Sequence, residues 1–321
     1  MVLIIIKSPF ICGLLSYSQK KECFVIKRYK NLLQQEFKHY SKEKLQKDLL
    51  AGLTVAAVAL PLALAFGVSS GADAAAGMIT AIIAGLVIGS LSGGFYQISG
   101  PTGAMAAILT GIIATQGLAG VLVATFIAGI ILLIAGLFKL GSLTSFIPSP
   151  VITGFTSGIA IIIALGQIDN FFGTTSVGDN AIAKLISYGS GFTPDFPTLL
   201  LGIVVLFLLI FYPKKWNQVL PASLVAIILA TFATIIFKLP VAKVGAIPTS
   251  LLTSERLHLA TLNLPLIKQL FLPAISIAML GMIESLLCGA SAGRMTGKDL
   301  DSNKELIAQG IGNMILPFFG G

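Results

Sequence analysis

The sequence is poor in charge. Of its 321 residues only 11% are Asp, Glu, Lys or Arg, against about 25% in an average soluble domain, whereas 55% are hydrophobic and the mean hydropathy is +0.95. The apolar residues form runs of about 17 to 23, the length that crosses a bilayer core of roughly 30 Å. Since only helices and closed barrels span membranes, the composition excludes soluble enzyme folds and predicts an all-α polytopic membrane protein.

Histidine and cysteine are scarce as well. The three cysteines, Cys12, Cys23 and Cys288, have no CxxC spacing and no nearby histidine, and the two histidines are His39 and His258. This pattern indicates neither a zinc site nor a disulfide framework. The sequence also contains no Walker loop, HExxH, catalytic-triad pattern or dinucleotide fingerprint. We therefore expect no metal, no cofactor and no enzyme activity.

Basic residues are unevenly distributed. The formal net charge is +8, and nearly half of the 21 Lys and Arg residues lie within residues 1–47. A basic segment just before the first apolar run is what the positive-inside bias keeps in the cytoplasm, next to anionic lipid headgroups. We interpret 1–47 as a cytoplasmic, lipid-facing segment and not as a nucleic-acid-binding one.

The apolar runs predict eight membrane spans and most of a ninth. With the N-terminus inside, most of the 21 basic residues fall on the cytoplasmic side, as expected of a multi-pass protein of a bacterial inner membrane. The runs cover residues 49–70, 74–91, 101–116, 119–138, 150–167, 197–213, 219–237, 270–290 and 305–319.

Many of the 34 glycines lie inside these runs. Small residues let helices approach closely in lipid, so we expect such glycines to mark packing faces. The glycines concerned are Gly85, Gly89, Gly111, Gly129, Gly136, Gly154, Gly158 and Gly166.

The segment 97–104, Gln-Ile-Ser-Gly-Pro-Thr-Gly-Ala, places a proline between glycines where the third span begins. A proline at the first position starts a helix abruptly and leaves its first N–H groups free. The run from Pro101 to Gln116 is about 24 Å of helix, too short to span comfortably. Short spans with Gly and Pro are typical of discontinuous transporter helices, whose positive dipole end faces an anion. The alternative is a simple helix start.

Glu284 is the only acidic side chain well inside any predicted span. A carboxylate at membrane depth costs several kcal/mol unless it is protonated, paired or facing water. Glu284 is therefore a candidate proton carrier or cation ligand. The alternative is a structural carboxyl group hydrogen-bonded between helices. In the last run, Gln309 and Asn313 lie four apart on one helical face and could form an interhelical polar seam.

Several motifs together resemble the SulP family of anion transporters, and look closest to its bacterial dicarboxylate- and sulfate-type members. The resemblance covers about residues 45–321. It rests on residues 48–55 and 60–66, 97–104, 154–159, 281–288 with 295–297, and 301–306 with 309–313.

The resemblance implies a fold of two inverted seven-span repeats, of which this chain holds the N-terminal portion. Spans one to four and eight onward would form a core domain, and spans five to seven a gate domain. The substrate-binding residues implied by the family are Leu62, Phe66, Thr102, Gly103 and Ala104.

The same resemblance places Glu284 and Cys288 at the coupling-ion site. Because a thiol is a poor sodium ligand, we expect a proton in preference to Na⁺. The expected function is secondary active transport, a symport, of sulfate, bicarbonate or a dicarboxylate. The backbone groups at a helix start do not choose among these anions.

The chain stops where the family continues into a tenth span. We therefore expect 48–321 to be an incomplete transmembrane domain without the family's cytoplasmic STAS domain. The alternative function is a non-transporting membrane fragment or scaffold. A homodimer is left open.

Overall fold

The computed structural model describes residues 37–38, 40–142, 149–176, 181–217, 221–242, 255–258 and 262–321. Within these ranges every regular element is helical, which confirms the all-α prediction. The helices are α1 (Lys42–Ser69), α2 (Ala74–Leu91), α3 (Gly103–Leu137), α4 (Ser149–Gly166), α5 (Ile168–Phe172), α6 (Ala181–Gly191), α7 (Phe196–Phe211), α8 (Lys214–Asn217), α9 (Ala222–Ile236), α10 (Leu264–Thr296) and α11 (Ser302–Ile315), followed by a 3₁₀ turn (Leu316–Phe319).

Helices correspond to all nine predicted apolar runs. Among the described residues, α1, α2, α3 and α10 are long and apolar enough to cross a membrane, and α7 and α9 are shorter apolar helices. Helix α10 starts six residues before its predicted run because the Asn263 side chain accepts a hydrogen bond from the Leu266 amide and Pro265 is suited to the first turn. Most of the basic segment 1–47 lies outside the described residues.

Helix α3 is broken at Gly117, where φ is 67° and ψ is −179°. A positive φ of this kind is accessible to glycine but costly for residues with a Cβ. The break separates a first limb, 103–116, from a second limb, 118–137. The first limb is about 21 Å long, so the short third span predicted from the sequence is present.

The longer helices pack around α3 and α11. Helix α11 contacts α2, α3 and α10, and α3 also contacts α10 and α4. Helix α4 leads on to α9 through contacts with α5 and α7. The main buried cluster lies among α3, α10 and α11 and includes Val123, Ala124, Leu270 and Leu306, all at most 1% exposed. The core and gate that the resemblance implies stay a prediction.

Glycines allow a close crossing between α3 and α11. A Cβ on Gly129 would lie 2.7 Å from the Met314 amide nitrogen and 2.8 Å from the Gly310 carbonyl oxygen. A Cβ on Gly136 would lie 2.9 Å from the Asn303 carbonyl oxygen. Because these neighbours are backbone atoms, the two helices could not keep this distance with larger residues.

The other six glycines singled out in the sequence do not mark tight packing among the described residues. A Cβ on Gly85 would approach the Ser99 carbonyl oxygen only to 3.9 Å, and the remaining five have open space around them. For these positions the packing-face prediction is wrong, because a glycine pattern does not show which face meets a neighbour.

The chain divides into two compact units, 1–56 and 57–321, with the boundary inside α1. In the first unit, the Tyr40 hydroxyl donates a hydrogen bond of 2.5 Å to Asp48, and this exposed contact raises the pKa of Tyr40. All candidate site residues belong to the second unit.

Candidate functional site

The start of α3 is built by Thr102. Its backbone is extended, with φ −123° and ψ 155°, and its Oγ1 accepts a hydrogen bond of 3.3 Å from the Met105 amide. Threonine is a favourable cap because its side chain satisfies one of the helix's free donors. The other N–H groups of the first turn, including those of Gly103 and Ala104, have no acceptor within the helix and carry the positive end of its dipole.

Gly103 lies beneath side chains from two other helices. A Cβ at this position would be 3.1 Å from Cε1 of Phe66 on α1 and 2.9 Å from Cδ1 of Ile163 on α4. The helix start therefore faces apolar side chains that approach its backbone closely. A residue with a Cβ at position 103 would displace the Phe66 and Ile163 side chains, whereas glycine does not.

Glu284 on α10 reaches the same helix start. The Thr102 hydroxyl donates a hydrogen bond of 3.0 Å to Glu284 Oε2. Thr102 thus uses its oxygen as an acceptor towards α3 and as a donor towards α10. The Thr102 side chain therefore links the titratable carboxyl group of Glu284 to the N-terminus of α3.

The structure brings four of the seven predicted site residues together: Phe66, Thr102, Gly103 and Glu284. Leu62, one turn before Phe66 on α1, is 49% exposed, and Cys288, one turn beyond Glu284 on α10, is also exposed. Ala104 is only 6% exposed, so its contribution to a site would come from its backbone N–H group.

A second carboxylate was not predicted from the sequence. Glu305, near the start of α11, is 0% exposed. Its Oε2 accepts hydrogen bonds from the Ser92 hydroxyl at 2.5 Å and the Gly93 amide at 3.0 Å. Its Oε1 accepts from the Ser285 hydroxyl at 2.8 Å and from Gln309 Nε2 at 3.0 Å.

Two glutamines extend this buried network. Gln309 Nε2 also lies 3.2 Å from Ser285 Oγ, which confirms the interhelical part of the predicted polar seam. Asn313 instead donates to the Gln309 carbonyl oxygen within α11. Gln97 Nε2 donates to the Ser285 hydroxyl at 2.9 Å and to the Ser285 carbonyl oxygen at 3.2 Å. The spacing of Glu305 four residues before Gln309 is the one signal in the sequence that could have indicated Glu305.

Comparison with known protein families matches residues 45–321 to the model of the sulfate permease family. The chain belongs to the sulfate permease family. Among its relatives, YvdB of Bacillus subtilis is 40% identical over 297 residues, 89% of this chain and 54% of that protein, and its name assigns it provisionally to sulfate transport. The bicarbonate transporter BicA of Picosynechococcus is 36% identical over 290 residues, 85% of this chain and 50% of that protein.

Two solved structures share the fold. The transmembrane domain of a cyanobacterium bicarbonate transporter BicA superposes with a TM-score of 0.78 and 34% identity, over 88% of this chain and 74% of that chain. The murine anion transporter Slc26a9, in an inward-facing state, gives a TM-score of 0.74 at 19% identity, over 88% of this chain and 51% of that chain. The latter likeness concerns the fold alone.

These comparisons confirm the SulP resemblance and the all-α membrane fold. The chain spans about half the length of the curated relatives it matches.

Proposed function

We propose that this chain takes part in secondary active transport of small anions, and that the anion binds at the start of α3 against Thr102, Gly103 and Ala104. The observation that carries the proposal is the broken helix whose capped first turn meets Phe66 and Glu284. Free N–H groups and the positive dipole end attract an anion without further charge. Leu62 and Phe66 supply the apolar wall that α1 adds to the site.

The proposed substrate is a small oxyanion or carboxylate. The relatives named for sulfate and bicarbonate transport support this class. Backbone N–H groups recognise negative charge through geometry that these anions share. The choice among sulfate, bicarbonate and dicarboxylates is therefore a matter for the uptake measurement below.

Glu284 is the proposed coupling group, and the coupling ion is a proton. Its carboxyl oxygen shares the Thr102 hydroxyl with the helix start, so a charged carboxylate would repel a neighbouring anion. Protonation removes that negative charge. Because coupling between two sites is reciprocal, the anion should then bind more tightly to the protonated protein, and the proton more tightly to the anion-bound one. Cys288 lies one turn further along α10 and contributes, in this proposal, to the path of the proton.

The same proposal places the N-terminal segment 1–47 on the cytoplasmic side of a bacterial inner membrane. Its excess of lysine favours contact with anionic headgroups.

Uptake into proteoliposomes tests the proposal. Labelled sulfate, succinate and bicarbonate are offered under an inward proton gradient to the chain, to Thr102→Trp and to Glu284→Gln. We expect gradient-driven uptake of one anion, its loss in Thr102→Trp because the indole fills the helix start, and loss of the gradient dependence in Glu284→Gln because the amide does not bind a proton.

Matched controls separate these effects from general damage. Thr115→Trp makes the same change at an exposed position of the same helix, and Glu43→Gln makes it at an exposed glutamate. Both should transport like the unmodified chain. Uptake by Thr102→Trp equal to that of the unmodified chain would contradict the site, and absence of uptake of all three anions would favour the non-transporting scaffold.

A further inference from the structure

Glu305 holds together three parts of the fold. Its four hydrogen-bond donors are neutral, and they come from the segment after α2 (Ser92 and Gly93), from α10 (Ser285) and from α11 itself (Gln309). A buried carboxylate needs such donors because it has lost its water. The four hydrogen bonds therefore tie these groups to the Glu305 side chain on α11.

Backbone contacts show how closely the segment after α2 lies against α11. The Asp301 amide donates to the Gly93 carbonyl oxygen at 3.1 Å. A Cβ on Gly93 would also clash with the Asp301 carbonyl oxygen and lie 2.9 Å from the Glu305 amide nitrogen. Gly93 can deliver its N–H group to Glu305 only because it has no side chain.

The same segment leads directly to the candidate anion site. Gln97 donates two hydrogen bonds to Ser285, and five residues later Thr102 donates one to Glu284. Two adjacent residues of α10 therefore hold both ends of the stretch from Gln97 to Thr102. Ser285, which holds the first end, donates its own hydroxyl proton to Glu305.

We propose that Glu305 is a positioning residue of the candidate anion site: through Ser285 and the segment from Ser92 to Gln97 it holds the start of α3 in register with Glu284. Glu305 lies outside the anion site and acts only through these groups. The inference rests on the proposed function for its purpose, and on the hydrogen-bond geometry for its mechanism.

The substitution Glu305→Gln isolates the contribution of the carboxylate. The amide has nearly the same size but presents NH₂ in place of one carboxylate oxygen. In one orientation of the new amide its NH₂ would face the Gly93 N–H group, and in the other it would face the Gln309 NH₂ group. In both orientations two hydrogen-bond donors would point at each other. At least one of the links to the segment after α2 or to α11 must therefore weaken.

Cross-linking measures the register directly and needs no transport. Cysteines replace Thr102 and Glu284 (Thr102→Cys with Glu284→Cys) in a chain carrying Cys12→Ser, Cys23→Ser and Cys288→Ser, and a short bifunctional thiol reagent joins them. We expect Glu305→Gln to slow the cross-linking of the folded protein by about tenfold, the scale of one lost hydrogen bond to a charged group. The exposed control Glu43→Gln should leave the rate unchanged.

A merely structural Glu305 predicts a different result. Glu305→Gln would then lower the unfolding temperature without changing the cross-linking rate of the folded fraction, and that result would overturn the proposal. If Glu305→Gln fails to fold, Ser92→Ala takes its place in the comparison. This substitution removes one of the two donors to Glu305 Oε2, and we expect it to slow the cross-linking as well.

The proposed function and this inference fail in different ways. A chain that takes up no anion but whose cross-linking depends on Glu305 would remove the proposed function and leave the positioning role standing. A chain that takes up anions, with a KM that Glu305→Gln leaves unchanged and with cross-linking independent of Glu305, would retain the transport proposal and overturn the positioning role.

Discussion

Two residues, Thr102 and Gly103, shape the start of α3. Thr102 caps the helix and at the same time donates to a carboxyl group on another helix, and Gly103 leaves room for Phe66 and Ile163 above the backbone. A side chain at Gly103 would press against these two groups. We therefore expect the proposed site to be sensitive to a single methyl group.

Gly103→Ala is expected to weaken anion binding by about tenfold, the scale on which one methyl group alters a tight site. The added Cβ would lie 2.9 Å from Ile163 Cδ1 and 3.1 Å from Phe66 Cε1, closer than carbon atoms normally approach. Equilibrium binding of the transported anion to the purified protein measures the effect.

Gly111→Ala, on the same limb of α3, is the matched control because a Cβ there meets nothing within 4 Å. Equal loss of binding in both variants would show that the helix, and not the helix start, is responsible.

The half-buried Glu284 and the fully buried Glu305 show what the sequence could and could not reveal about single residues. Glu284 was predictable because it is a lone charge within an apolar run. Glu305 was not, because it lies at the first residue of its predicted run, where water is expected. What buries it is the segment around Ser92 and Gly93, more than 200 residues earlier in the chain, and single-sequence reasoning does not supply such a distant contact.

At the scale of elements, helix length and apolarity were enough to locate the long apolar helices among the described residues. The short third span was also predictable, since Pro101 marks its start and the run ends early at Gly117. The packing partners of α3 were not, because glycines occur on packed and open faces alike. Gly129 and Gly310 meet at the crossing of α3 and α11, whereas Gly89 faces open space.

Gly129→Ala is expected to lower the free energy of unfolding by about 1–3 kcal/mol, the usual effect of overpacking. Its Cβ would press on the Met314 nitrogen and the Gly310 oxygen, which are backbone atoms and cannot rotate away. Thermal unfolding in detergent measures the change.

Gly89→Ala serves as the comparison in α2. With nothing within 4 Å of the added Cβ, the substitution should be neutral or stabilise the protein by about 0.4–1 kcal/mol through the unfolded chain. A Gly129→Ala protein as stable as Gly89→Ala would contradict the close crossing of α3 and α11.

At the scale of the whole molecule, the candidate site lies where residues of α1, α3, α4 and α10 meet. Helix α4 contacts both α3 and α5, and its Ile163 lies over Gly103. A shift of α4 relative to α3 would therefore change how closely Ile163 covers the start of α3. The proposed transport by alternating access would use such a change.

The most direct test of the central claim is protection of the helix start by the anion. Thr102→Cys, in a chain carrying Cys12→Ser, Cys23→Ser and Cys288→Ser, is labelled with a neutral water-soluble maleimide, and Thr115→Cys in the same background is the control. The account predicts that sulfate, succinate or bicarbonate slows labelling at position 102 in a saturable manner and leaves position 115 unaffected. A labelling rate at position 102 that none of these anions changes would contradict it.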